Sequence, residues 1–148
     1  MATQADLIEL PLEPGGLAFV NGTPIRRSAD GRILVPHDAE LLTTDQLIAD
    51  ISQADTASKK IYFALQVMLL DPANAATYER ELMSLIDDRA EATTAQTVIY
   101  SLAVISELAL DGDYIRAMKI CRHLIEFDAA VLAEFPQKAD QKEEVPAA

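Results

Sequence analysis

Positively charged side chains form two small groups in the first half of the sequence. They are Arg26, Arg27 and Arg32, followed by Lys59 and Lys60. Proteins that recognise single-stranded RNA loops use arginine stacking and backbone contacts, commonly beside aromatic side chains, and the aromatic residue nearest the arginines is Phe19. If the two groups adjoin in the fold, we expect these five residues to bind nucleic acid. The alternative is ordinary pairing with surface carboxylates.

A third positively charged group lies near the C-terminal end of the chain, at positions i, i+3 and i+6: Arg116, Lys119 and Arg122. At ~100° per residue these side chains lie off the apolar stripe of a predicted helix. A positive strip on an acidic protein stays exposed and attracts acidic partners, so we predict a partner-binding surface here. The alternative is pairing within the chain. The carboxylates available for it are Glu107, Asp111, Asp113 and Glu126.

The residue types that commonly perform catalysis or bind metals are isolated in this sequence. His37 and His123 stand far apart, and neither has a cysteine, histidine or carboxylate at metal-ligand spacing. Cys121 lies on an apolar helical stripe, which predicts a buried thiol rather than a nucleophile. Residues 14–16 lack the helix-opening lysine of a phosphate-binding loop. We therefore predict no catalytic residue, no metal site and no cofactor, and hence a protein that is not an enzyme.

The composition is that of an acidic protein with one cysteine. Twelve basic residues against 24 acidic ones give a net charge of −12 at pH 7. This charge repels nucleic acid at long range and argues against a broad phosphate-tracking surface, while leaving room for a local basic spot. A single cysteine forms no intrachain disulfide, and the sequence shows neither a secretory signal pattern nor an apolar run of membrane-spanning length. We expect a cytoplasmic protein that does not enter the membrane.

Short apolar runs separated by turn residues occupy residues 1–43. Asn21-Gly22 between two such runs predicts a hairpin, because a type I′ turn needs positive φ at both central residues. Pro24 confines the following run to an edge strand. The pattern predicts a small antiparallel β-meander, which must pack on the rest of the chain because it cannot bury both faces alone.

The stretch from Ile61 to Leu70 contains one clearly polar side chain, Gln66. As a helix it is apolar nearly all round, so other elements must cover it on several sides. We predict that it is the central helix of the core, capped by Asp55 or Thr56. We expect Lys59 and Lys60 at its start, and Tyr62 and Gln66 along one edge, to reach the surface.

Three further helices are predicted. Pro72 suits the first position of one, the next starts after Thr93 or Thr94 and ends at Gly112, and Asp113 caps the last. Short connections favour antiparallel neighbours. The predicted class is α+β, with an N-terminal β-meander (residues 1–43) packed on a helical bundle of about four helices (residues 44–135) in one domain. The polar, non-periodic residues 136–148 are predicted to be a disordered tail.

Three blocks of sequence carry a resemblance to a known family. The first is Lys60-Ile61-Tyr62-Phe63-Ala64-Leu65-Gln66, the second runs from Gly112-Asp113-Tyr114 to Phe127, and the weaker third combines residues 12–15 with residues 19–25. The first is similar to the signature R/K-I-Y-F-A-x-Q, and the second to G-x-Y-x-x-A-L-x-x-x-R-x-L-I-x-[YF]. Together and in this order along the chain, the blocks resemble the FlbT family, the flagellar biosynthesis repressors of alphaproteobacteria.

The resemblance implies a post-transcriptional regulator of flagellin. FlbT-like proteins are held to act on the 5′ untranslated region of flagellin mRNA, often beside a small helical partner of the FlaF type. It therefore implies the flagellin mRNA leader as the ligand of the first two basic groups. It also implies flagellin or a FlaF-like helical protein as the partner of the third group.

Two alternatives to an RNA-directed regulator stay open. One is a protein-binding adaptor or chaperone in flagellin control that does not contact RNA. The other is a scaffold outside flagellar biology, because residues 112–128 also look like the junction of one tetratricopeptide unit. Three or more such units would be needed for a solenoid.

Overall fold

The computed structural model describes residues 7–134, and the predicted tail at 136–148 lies outside the described residues. Five short strands come first: β1 (Leu7–Glu9), β2 (Leu17–Val20), β3 (Thr23–Arg26), β4 (Leu34–Pro36) and β5 (Leu41–Thr43). They pair antiparallel, β1 with β4 in one sheet and β3-β2-β5 in the other. The predicted N-terminal β-meander is confirmed, and the pairing of β1 with β4 divides it into two small sheets.

The Asn21–Gly22 hairpin is also confirmed. Val20 lies opposite Thr23, so the loop has two residues. Their φ angles are 49° at Asn21 and 84° at Gly22. Both angles fall in the left-handed region that a type I′ turn requires.

Four helices follow the meander: α1 (Ala57–Leu70), α2 (Ala75–Glu91), α3 (Gln96–Leu110) and α4 (Tyr114–Glu134). The Thr56 hydroxyl caps α1 by accepting a hydrogen bond from the Lys59 N–H at 3.2 Å. Pro72 opens a 3-10 turn at Pro72–Asn74 and α2 starts only after it. None of the helices between residues 7 and 134 is long and apolar enough to cross a membrane.

The core lies around α1, which contacts both α2 and α4, while α3 packs on α4 and, less extensively, on α2. Ile61, Leu65 and Met68 of α1 are buried in one hydrophobic cluster with residues of the other helices. Phe19 of β2 and Leu42 of β5 lie opposite each other in the sheet and belong to the same cluster. The meander therefore shares its core with the helices, and the predicted α+β class is confirmed.

Candidate functional site

Two of the candidate arginines bind the loop between β1 and β2. The Nη1 of Arg26 donates to the carbonyl oxygen of Gly15 at 2.8 Å. The Nε of Arg27 donates to the carbonyl oxygen of Gly31 at 2.7 Å, and its Nη1 donates to that of Leu12. Arg27 is partly buried and braces two loops, whereas Arg26 is exposed.

The other three candidate cations lie at or near the surface. Nη1 of Arg32 is 3.9 Å from a Glu9 carboxylate oxygen, and 72% of the arginine side chain is exposed. Nζ of Lys59 donates to the Asp55 carboxylate at 3.1 Å, and this hydrogen bond lowers the pKa of the Asp55 carboxyl. Lys60 is exposed, and no carboxylate within residues 7–134 lies at ion-pair distance from it.

The five candidates divide into two sets with different surroundings. Arg26 and Arg27 meet at the loop between β1 and β2, and Lys59 and Lys60 lie in the first turn of α1. The lysines share no hydrogen-bonding partner with the arginines in the described part of the chain. Their assembly into one nucleic-acid-binding site stays a prediction.

The predicted strip on α4 begins with a residue that reaches the meander. Nε of Arg116 lies 3.4 Å from the carboxylate of Glu40 and 3.6 Å from that of Asp113. Asp113 is one of the carboxylates that the sequence offers as a partner within the chain, whereas Glu40 is not among them. Such exposed pairs contribute only ~0–1 kcal/mol. Lys119 is exposed and lacks an ion-pair partner among residues 7–134, and partner binding by the strip stays a prediction.

Tyr62 and Gln66, one turn apart on α1, bind the segment that leads from the meander to the helices. The Tyr62 hydroxyl donates to the carbonyl oxygen of Gln46 at 2.6 Å and accepts from Nη1 of Arg122 at 3.1 Å. The Gln66 amide exchanges two hydrogen bonds with the backbone of Ile48, at 2.7 and 2.8 Å. Both side chains are buried rather than at the surface. Burial raises the pKa of Tyr62, against the opposing effect of Arg122, so the hydroxyl stays protonated and able to donate.

A buried polar cluster joins three helices. Nη2 of Arg89 (α2) donates to the Asp128 carboxylate (α4) at 2.8 Å, and the Ser58 hydroxyl (α1) donates to its other oxygen at 2.5 Å. The Cys121 thiol donates to the Ser58 carbonyl oxygen at 3.2 Å, and burial raises the thiol pKa to about 12. The predicted buried thiol is confirmed. The cluster itself was not predicted, because its members are far apart in sequence and local spacing carries no signal for it.

Two cavities open on the described surface. One, of about 480 Å³, lies between the Asn21–Gly22 turn, the end of α1 and the α3–α4 connection. The other, of about 510 Å³, is a groove between α1 and α2 with mainly apolar walls such as Phe63 and Leu85, and Lys60 also lines it. Both are open to solvent.

Comparison with known proteins decides the family. The sequence model of the family described as flagellar protein FlbT matches residues 8–132. The chain belongs to the FlbT family. The resemblance seen in the three sequence blocks is thereby confirmed.

Several curated FlbT relatives align along most of the chain. A probable flagellum biosynthesis repressor protein FlbT of Caulobacter sp. strain K31 is 24% identical over 121 residues, covering 82% of this chain and 92% of the relative. One from Bradyrhizobium diazoefficiens is 26% identical over 130 residues, with coverages of 85% and 92%. One from Brucella ovis is 24% identical over 143 residues, with coverages of 94% and 84%. No solved structure matches the chain.

The FlbT sequence blocks have distinct positions in this fold. In the first block, Ile61 and Leu65 enter the core, while Tyr62 and Gln66 hold the connecting segment. The second and third blocks meet at the 480 Å³ cavity, which is lined by Asn21 and Gly22 from one block and by residues 112–116 from the other. The first block therefore has a structural role, and the other two build an open site between the meander and the helices.

Proposed function

We propose that this protein is a non-enzymatic repressor of flagellum biogenesis. It acts after transcription, in the cytoplasm, by controlling flagellin synthesis through the 5′ untranslated region of flagellin mRNA. The observation that carries the proposal is the FlbT-family sequence over residues 8–132, since the relatives are named flagellum biosynthesis repressors. The buried, hydrogen-bonded state of Cys121 and Tyr62 supports a non-enzymatic role, because neither is presented to a substrate.

The proposed nucleic-acid contacts are made by Arg26, Arg27, Arg32, Lys59 and Lys60. Arg27 and Lys59 are only partly exposed and have partners within the chain. Arg26 and Arg32 also have partners, Gly15 and Glu9, but their side chains are exposed, so together with Lys60 they are the cations best able to meet phosphates. For single-stranded nucleic acid, log K falls with log salt concentration by ~0.7 per phosphate contact, so three contacts give a slope of about −2. This slope is shallow because the proposed site is a small positively charged patch on an acidic protein.

A second candidate function is a protein-binding adaptor or chaperone in flagellin control. It is favoured by the net charge of −12 and by the internal partners of Arg27 and Lys59, which leave few cations for RNA. Its proposed contacts are Arg116, Lys119 and Arg122, and its proposed partners are flagellin or a FlaF-like helical protein. Of these contacts Lys119 is the most available, because Arg116 is paired and Arg122 binds Tyr62.

Binding of fluorescently labelled flagellin leader RNA, followed by anisotropy across a salt series, tests the RNA route. We expect wild-type protein to bind with a slope near −2, and the double variant Arg26→Ala/Arg32→Ala to bind about tenfold more weakly. Arg27 is left unchanged because its hydrogen bonds to Gly31 and Leu12 hold two loops in place. Arg80→Ala on α2 is the matched control, since Arg80 is exposed and outside the proposed site.

Two results would redirect the proposal. If Arg80→Ala weakened RNA binding as much as the double variant does, the binding would be nonspecific charge attraction. No binding by the wild type, together with co-purification of flagellin that Lys119→Glu abolishes, would favour the adaptor.

A further inference from the structure

The central helix α1 is apolar on nearly every side, but the fold covers only part of it. Its apolar residues Phe63, Val67 and Leu70 do not belong to the hydrophobic core cluster. A helix with this pattern needs cover on several sides. Within the described residues, α2 and α4 supply it on two sides, and the segment that leads from the meander supplies it on a third. The side that carries Phe63 and Val67 stays open to solvent.

The open side of α1 forms one wall of the 510 Å³ cavity, here called the α1–α2 groove. Phe63 and Val67 line it from α1, and Tyr78 and Leu85 line it from α2. Ile51, on the 3-10 turn before α1, stands at its edge with 68% of its surface exposed. A connected apolar surface of this kind, rimmed by polar groups, is typical of a binding site for another molecule.

The two walls of the α1–α2 groove carry opposite charges that do not pair with each other. Lys60 lies on the α1 wall and Glu81 on the α2 wall, and both are exposed. No group of opposite charge within residues 7–134 lies at ion-pair distance from either of them. The two helices run antiparallel. Measured from their connected ends, Lys60 is ~15 Å and Glu81 ~9 Å along its helix, so the charges are staggered by about one helical turn.

We infer that the α1–α2 groove binds an amphipathic helix of another protein. The apolar stripe of that helix fills the groove, an acidic side chain on one flank meets Lys60, and a basic side chain on the other flank meets Glu81. From Lys60 to Val67 the α1 wall is ~10 Å long, which matches the i to i+7 span of a docked helix. An extended peptide is disfavoured, because the backbone groups of helical walls are already paired and cannot add a strand.

A second copy of this chain does not offer a helix of that chemistry. Within residues 7–134, exposed apolar side chains outside α1 lie on α3, at Ile99 and Leu110, and near the end of α4, at Phe127 and Val131. α3 carries no lysine or arginine, and α4 carries none after Arg122. Neither stretch can therefore place a basic side chain beside Glu81. The charge pattern of the groove selects a different protein as its partner.

Lys60 is also one of the cations proposed to contact RNA. A helix whose carboxylate pairs with Lys60 takes that cation away from the RNA, so occupancy of the groove and RNA binding should oppose each other. This consequence rests on the proposed function, whereas the binding of a helix in the groove does not.

A synthetic helical peptide of zero net charge tests the inference on the full chain. The peptide has leucines at i, i+4 and i+7, glutamates along one flank, lysines along the other, and one tryptophan whose emission reports burial, because the protein contains no tryptophan. We expect saturable binding with a dissociation constant on the order of tens of micromolar, since two helical turns contribute less than the ~800 Å² of a standard interface. The same peptide with alanines in place of the leucines should not bind.

Charge reversals on the protein test the assigned orientation of the flanks. Lys60→Glu alone and Glu81→Lys alone should each weaken binding of the peptide by about threefold to tenfold, because one flank then meets a like charge. The double variant Lys60→Glu/Glu81→Lys should restore binding, since the peptide can turn end for end and exchange its flanks. Arg80→Glu, exposed on α2 outside the groove, is the matched control and should change nothing.

Three results would overturn the inference: no saturable binding of the peptide, single reversals that bind as well as wild type, or a double variant that binds as weakly as the single ones. The measurement contains no RNA. Its failure would therefore leave the proposed control of the flagellin message standing, and loss of leader binding in the RNA titration would leave the groove standing.

Discussion

At the scale of single residues, the two polar side chains in the central helix are structural. Gln66 and Tyr62 satisfy backbone groups of the segment between the meander and α1. The sequence showed Tyr62 and Gln66 in an apolar helix but did not indicate which groups they hydrogen-bond. Their backbone partners are 16 and 18 positions away, at the end of the 3-10 turn Thr44–Gln46 and in the loop after it. Helical periodicity cannot predict contacts of that kind, because it describes only which residues share a face.

Replacement of Gln66 by leucine should be costly. The variant keeps the volume but leaves the N–H and C=O of Ile48 without their partner, and an unsatisfied buried group costs ~1–3 kcal/mol. Urea unfolding should show a loss of that size for Gln66→Leu. Gln53→Leu, at an exposed position, is the control and should change the free energy of unfolding by less than ~0.5 kcal/mol. Equal stability of the two variants would contradict the assigned role.

The Cys121 thiol should make stability depend on pH in the alkaline range. Burial raises its pKa from 9.0 to about 12, so the fold favours the neutral thiol. The corresponding stability is fully present below pH 9 and is lost as the pH rises toward 12, because the unfolded chain ionises first. Unfolding measured at several alkaline pH values should therefore show a steeper decline for the wild type than for Cys121→Ala. Parallel pH profiles would contradict a protonated, buried thiol.

At the scale of elements, structure set by local sequence was predictable and long-range pairing was not. The Asn21–Gly22 hairpin and the Thr56 cap depend on neighbouring residues, and both agree with expectation. The pairing of β1 with β4 depends on a contact across more than 20 residues, which the strand pattern does not encode. Pro72 opened a separate 3-10 turn rather than α2, because its fixed φ suits the first residue of either helix type.

The polar cluster on α1, α2 and α4 should hold these three helices together. Asp128→Ala leaves the guanidinium of Arg89, whose side chain is only 11% exposed, without its carboxylate, and loss of one partner of a buried pair costs ~3–5 kcal/mol. The variant should also expose Cys121 more often, because its thiol binds the backbone of Ser58 within the cluster. Thiol labelling under native conditions should thus be faster. Glu126→Ala, exposed on the same helix, should leave both stability and labelling unchanged.

At the scale of the whole molecule, charge decides how the protein can meet its partners. The chain carries −12 overall, and four of the five cations proposed for RNA have partners within the described residues, Lys60 being the exception. The sequence identified the cations but not these partners, which are backbone carbonyls and the carboxylates of Glu9 and Asp55. What remains for RNA is a small set of exposed cations.

The most direct test of post-transcriptional repression is a flagellin-leader reporter in the bacterium that carries this gene. The leader is fused to a reporter behind a constitutive promoter, which removes the influence of flagellar transcription. Deletion of the gene should raise reporter protein, through higher translation or a longer-lived message. Wild-type protein should restore repression, and a fusion without the leader should not respond. An unchanged leader fusion after deletion, or an equal response of the leaderless control, would contradict control through the flagellin leader.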